Sequence, residues 1–150
     1  MQESIQIAYT YARDFCNVFY KNNFLEINDV HIHFPEGASK KDGPSAGIAI
    51  SSSLISLALN QPIPQDTAMT GEITLQGKVL KIGGVKEKLL AAKREGIKTV
   101  IFPKENQPDV DELKDYIKQD MKILFANSFW DVVRHIFPEV FMQIEDKIKE

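Results

Sequence analysis

Apolar residues recur at helical spacing through residues 3–20. Ile5, Ala8, Ala12, Phe15, Cys16 and Phe19 fall along one side, which predicts an amphipathic helix. Residues 29–34 change period: Val30, Ile32 and Phe34 alternate with His31 and His33, which predicts a strand with one buried face. The PEGASKKDGP stretch that follows is rich in turn formers and reads as a loop. Residues 45–59, SAGIAISSSLISLAL, are small or apolar nearly all round, so they predict a central, buried helix ended by Asn60 and the prolines of QPIP. Its serines, Ser51, Ser52, Ser53 and Ser56, are expected to bond carbonyls of their own helix.

Residues 68–82 read as a β-hairpin turning near Gln76–Gly77. Gly83–Gly84 breaks that pattern, and a helix is expected from 85 to 95, ended by Gly96 in a left-handed cap. Residues 98–102 predict a strand stopped by Pro103, residues 109–118 a helix with an acidic start, and residues 122–126 a further strand. Ser128 with Asp131 three residues on predicts a capped helix through Phe137, followed by a polar amphipathic tail. Helices alternating with strands imply an α/β (α+β) fold, with a mixed sheet and flanking helices. The loops are short and no repeat is visible, so residues 1–150 are expected to form one domain.

Composition narrows this little. With 43% hydrophobic and 26% charged residues among 150, a sizeable core is possible. A net charge of −3, with both signs interspersed, argues against nucleic acid or an anionic membrane as the main partner. No run of 18 apolar residues is present to span a bilayer, and the N-terminal residues lack a signal-peptide pattern. The single cysteine, Cys16, has no internal disulfide partner and reads as a buried structural thiol.

Three places carry candidate chemistry. In Asp42-Gly43-Pro44-Ser45-Ala46-Gly47 a serine stands where a loop enters the apolar helix. The first N–H groups of a helix have no partner within it, and with the positive end of the helix dipole they can hold an oxyanion. A serine in that place also simply caps a helix, so the pattern alone leaves both roles open. In Gly83-Gly84-Val85-Lys86-Glu87-Lys88, lysines lie at another helix start. Lys88 has Val85, Ala91 and Ala92 as helix-surface neighbours, surroundings that disfavour an ammonium, whereas Lys86 has Leu89 and Leu90. Periodicity favours Lys88 only weakly. In Met69-Thr70-Gly71-Glu72, Thr70 carries a hydroxyl able to orient an amine, or is an ordinary β-branched strand residue. His31 and His33 share one strand face, but no third residue at metal-ligand spacing follows, so no metal site is expected.

In order, HIHFPEGASKKDGPSAG and then AMTGEITLQGKVLKIGGVKEKLLAAKREGIKTVIFP resemble the signature of the Lon protease family's proteolytic domain, over roughly residues 2–125. The resemblance implies a Lon-type fold and a serine–lysine dyad. Ser45 of DGPSAG is then the nucleophile, Lys88 the general base, and Thr70 of MTGE a residue that hydrogen-bonds the lysine. His31, His33 and Asp42 match positions bordering the site, and Pro44, Ser45 and Ala46 mark the oxyanion region. The implied protein is an ATP-dependent serine endopeptidase of protein quality control. It cleaves unfolded, damaged or regulatory proteins as a hexameric ring in the bacterial cytoplasm or mitochondrial matrix. No cofactor is expected in this domain. No GxxxxGK[ST] motif occurs, so ATP and Mg are expected in a separate ATPase module. MQESIQIAYT matches an internal stretch of the family domain, which implies an N-terminally truncated domain lacking its first strands. Lys40 stands where many members have proline.

An extended substrate is expected to pair with the 68–75 edge. Two other readings remain at this point. DGPSAGIAISSS also resembles the phosphate cradle of small-molecule kinases of the galactose and homoserine type, although it lacks their dense glycine–serine pattern. A catalytically silent ring-assembly domain is the other.

Overall fold

The computed structural model describes residues 2–35 and 43–149; the candidate Asp42 lies outside them. Helix α1 (Gln2–Tyr20) buries Ala8, Ala12, Phe15 and Cys16, the face its spacing predicts. A short α2 (Phe24–Ile27) follows, then a 3-10 turn at Pro44–Ala46 leading into α3 (Gly47–Leu59). After α3 come β1 (Thr67–Met69), β2 (Glu72–Ile73), β3 (Val79–Leu80), α4 (Val85–Arg94) and β4 (Thr99–Pro103). The chain continues through α5 (Gln107–Asp111), α6 (Asp115–Lys118), β5 (Lys122–Ala126), α7 (Phe129–Ile136) and α8 (Pro138–Lys149).

The strand directions divide between two sheets. A parallel sheet runs in the order β1-β4-β5, and β2 and β3 form a separate antiparallel pair. The parallel sheet separates two hydrophobic cores, and the alternation of its strands shows it. Ile101 of β4, with Leu124 and Ala126 of β5, faces the larger core built from α1, α3, α7 and α8. Val100 and Phe102, with Ile123 and Phe125, face the smaller core of α4, α5 and α6. Period-two side-chain direction thus makes one central strand serve two cores.

Helix α3 is the centre of the larger core, with Ile48, Ile50, Leu54, Ile55 and Ala58 buried around it. Its serines find partners mostly outside their own helix. Ser53 donates to the Ala49 carbonyl (2.9 Å) as expected, but Ser51 donates to Ala8 of α1 (3.2 Å), Ser52 to the Met69 sulfur (3.2 Å) and Ser56 to the Gln61 carbonyl. A helix enclosed by neighbours offers its hydroxyls foreign acceptors at close range. Cys16 is buried in the same core, and burial pushes its thiol pKa up to about 12.

The expected strand at 29–34 is irregular chain, because no described strand lies beside it to complete a ladder. Its alternation survives: Val30, Ile32 and Phe34 are half-buried, and His31 and His33 are exposed. The 68–82 hairpin is shorter than expected. Residues 67–69 belong to the parallel sheet, and only 72–80 turn back on themselves. The 109–118 helix divides at Glu112–Lys114 into α5 and α6. Val110 and Ile117 are buried on the same side, seven residues apart, a spacing that a continuous helix would also produce. Gly96 takes the left-handed conformation expected after α4 (φ 73°). The capping box of Ser128 and Asp131 forms as the sequence implies. The polar tail is helix α8, which buries Val140, Phe141 and Ile144. Among the described residues, no helix is long and apolar enough to cross a membrane.

Candidate active site

Ser45 sits in the 3-10 turn Pro44–Ala46, at the mouth of α3. The turn is fixed to Thr70–Gly71, where the chain leaves β1. Gly71 N–H donates to the Ser45 carbonyl (2.8 Å), and the Gly71 carbonyl accepts from Ile48 N–H (3.0 Å). The Thr70 hydroxyl donates to the same Ser45 carbonyl (3.1 Å), and Thr70 N–H donates to the Ile101 carbonyl of β4 (3.1 Å). Gly47 makes this closeness possible, since a Cβ there would lie 2.8 Å from the Ile73 nitrogen.

Lys88 comes from the other side of the sheet's end. Gly84 caps α4 in the left-handed region (φ 69°), which turns the chain sharply after β3. Lys88 lies in the first turn of α4, and its Nζ stands 3.4 Å from Ser45 Oγ and 2.9 Å from the Gly83 carbonyl. Burial lowers the amine's pKa below the ordinary lysine value, opposed by the adjacent Glu87 carboxylate. Between the two residues opens a cavity of about 460 Å³. Its walls include Ala46, Ala49, Met69, Ala91, Ala92 and Val100, so they are small and apolar.

The structure therefore brings Ser45, Lys88 and Thr70 to one cavity. Thr70 lines it with its hydroxyl donating to the Ser45 carbonyl, because the Thr70–Gly71 step lies directly against the serine turn, and the hydroxyl oxygen keeps its acceptor lone pairs. His31 and His33 line a neighbouring cavity of about 360 Å³, which shares Ala46 and Ala49 with the first. They border the site without reaching the dyad. Of the oxyanion region, Pro44 has no N–H, and its carbonyl accepts from Gly47 N–H. Ser45 and Ala46 are left as the backbone donors there.

Two contributors were missed by sequence reasoning. The Gly83 carbonyl holds the lysine amine, and a Gly-Gly pair marks only a turn. Asn106 fixes the chain just before that turn, and its only signal was a polar residue between two prolines, Pro103 and Pro108.

Comparison with known proteins gives the family of the chain. The family described as Lon protease (S16) C-terminal proteolytic domain matches residues 1–139. The mitochondrial Lon protease homolog of Phaeodactylum tricornutum is 50% identical over 141 residues, which is 93% of this chain and 16% of that protein. The corresponding Drosophila melanogaster protein is 47% identical over 151 residues, 100% of this chain and 15% of that protein. The Lon protease of Wolbachia pipientis is 48% identical over 147 residues, 97% and 18% respectively. This chain thus spans less than a fifth of the length of these relatives. By the family match and by near-half identity along its length, the chain belongs to the Lon protease C-terminal proteolytic domains.

Proposed function

We propose that this domain is a serine endopeptidase working through a Ser45–Lys88 dyad and an acyl-enzyme. The observation that carries the reading is the Lys88 amine 3.4 Å from the Ser45 hydroxyl, in an apolar-walled cavity that favours its neutral form. A separation near the upper limit of a hydrogen bond is typical of a resting site that tightens on substrate.

The neutral Lys88 amine takes the Ser45 proton as Oγ attacks the peptide carbonyl carbon. The oxyanion is held by N–H groups of Ser45 and Ala46, at the positive end of α3. The new ammonium donates to the Gly83 carbonyl, 2.9 Å from the amine, until it passes its proton to the departing amine. Water then attacks the ester, with Lys88 again as base, and Ser45 is restored. The Ser45 main chain stays fixed throughout by Gly71 N–H and the Thr70 hydroxyl. Strand β1 is an edge of its sheet and Met69 lines the cavity, which suits an extended peptide laid alongside β1.

Unfolded, damaged or regulatory proteins are the substrates this reading favours. Delivery by an ATP- and Mg-dependent module and assembly into a hexamer belong to the same proposal, which membership of the family supports. Relatives named as mitochondrial and a relative from a bacterium support a place of action in the mitochondrial matrix or the bacterial cytoplasm. The chemistry on this chain routes no step through ATP.

The test is hydrolysis of a fluorogenic peptide by the complete polypeptide. Lys88→Gln and Ser45→Ala are each expected to lower kcat by at least about 1,000-fold, the scale at which a base or nucleophile acts. In the parent protein, kcat/KM should rise with pH and level off below the ordinary lysine pKa, because the working form of Lys88 is neutral. Undiminished hydrolysis by Lys88→Gln would end the dyad reading, and no hydrolysis by the parent polypeptide would leave the silent ring-assembly role in its place.

A further inference from the structure

We propose that Asn106 is the positioning residue for Lys88, an inference that rests on the serine–lysine reading. Its side chain is fully buried. Oδ1 accepts from Ile82 N–H (3.0 Å), and Nδ2 donates to the Ile82 carbonyl (2.9 Å) and to Asp109 Oδ2 (2.8 Å). Ile82 is itself buried and lies beyond the end of β3, so neither of its main-chain groups has a ladder partner from β2. The Asn106 amide supplies both bonds, as an adjacent strand would. A buried main-chain pair left without them costs far more than the bonds gain, so the amide decides where Ile82 stays.

The next residue is Gly83, whose carbonyl accepts from Lys88 Nζ, and the next is Gly84, whose carbonyl accepts from Lys88 N–H (3.0 Å). Both ends of the lysine are therefore tied to the two residues that follow the clamped one. Asn106 itself stands three residues past the end of β4, the strand whose Ile101 carbonyl holds Thr70 N–H. One strand thus references both the serine turn and the lysine turn. Asp109 fixes the orientation of the Asn106 amide, and is itself paired with Lys81 at 3.2 Å.

The charged groups around the lysine turn are few. Glu87 is beside Lys88 on α4, and Glu95 lines the same cavity. Lys81, Lys86, Asp109 and Glu112 border the turn from its other side. With the clamp weakened, the turn loosens, the amine leaves its apolar wall, and it becomes a more ordinary lysine.

The experiment compares the parent, Asn106→Ala and Asp109→Ala in the complete polypeptide, measuring kcat and KM for a fluorogenic peptide across pH, with the folded fraction from thermal unfolding. For Asn106→Ala, kcat should fall roughly 10- to 100-fold, the cost of displacing a reacting group by about an ångström. KM should stay within about twofold, and the acid limb of the profile should move toward higher pH. For Asp109→Ala, the same changes are expected at about 2- to 10-fold, the effect of losing one hydrogen bond. The inference is overturned if kcat falls only with the folded fraction and the acid limb stays where the parent has it. Should Asn106→Ala not fold, Asp109→Ala decides by the same two readouts. Lys88→Gln, run alongside, separates the outcomes: if it retains activity the dyad has failed, and if it is inactive while both clamp variants match the parent, only the role of Asn106 has failed.

Discussion

The two halves of the site are held in place by different means. The serine turn is held mainly by main-chain bonds: Gly71 to Ser45, Ile48 to Gly71, and Thr70 to Ile101. The lysine turn is held by one buried side chain, Asn106, acting on Ile82. Main-chain bonds survive most substitutions that preserve the fold, whereas a side-chain clamp is lost with a single residue. The nucleophile side is therefore robust to sequence change, and the base side is where a point substitution can detune the chemistry without dismantling the larger core.

The strongest way to break this contrast is to attack the serine side where even its backbone has no slack. Gly47→Val places a branched side chain against the Ile73 main chain, where a lone Cβ already comes within 2.8 Å. Unfolding by denaturant should show a loss of about 3 kcal/mol, the upper range for overpacking, with hydrolysis falling further than stability accounts for as Ser45 is pushed off Gly71. A milder probe is Thr70→Val, which removes one of the two bonds to the Ser45 carbonyl and leaves the Gly71 bond. Stability should drop by about 1 kcal/mol, and kcat should fall less than in Asn106→Ala. If Thr70→Val instead proves the more damaging, the main chain is not what holds the serine. The smallest effect sharpens the comparison without any substitution. Cys16 lies buried in the larger core, with its thiol pKa raised to about 12, so the native protein should react with iodoacetamide far more slowly than the unfolded chain at neutral pH. Ready labelling under native conditions would show that the larger core opens easily.

Much of the frame could be read from the chain because it depends on local spacing. The all-round apolar character of residues 45–59 marks the central helix, and the loop entering it marks Ser45. Ser128 and Asp131 mark a helix start because both partners of the box lie within one turn. What was hidden depends on partners far apart in sequence. The pairing of Ser45 with Gly71 spans 26 residues of chain without any periodic trace, and the clamp of Asn106 on Ile82 spans 24. Periodicity favours Lys88 over Lys86 only weakly, since both have apolar neighbours; the direction of the α4 start, set by Gly84, aims Lys88 at the serine. The same blindness made α5 and α6 look like one helix, because Val110 and Ile117 keep a helical spacing across the break.

The cavity beside Ser45 takes its walls from both cores: Ala46 and Met69 pack with the larger, Ala92 and Val100 with the smaller. It is a seam. A guest that fills it touches two bodies of packed side chains that lie on opposite faces of the parallel sheet, so occupancy is felt as cohesion between them. The domain carries its own gauge of substrate engagement in its resistance to heat.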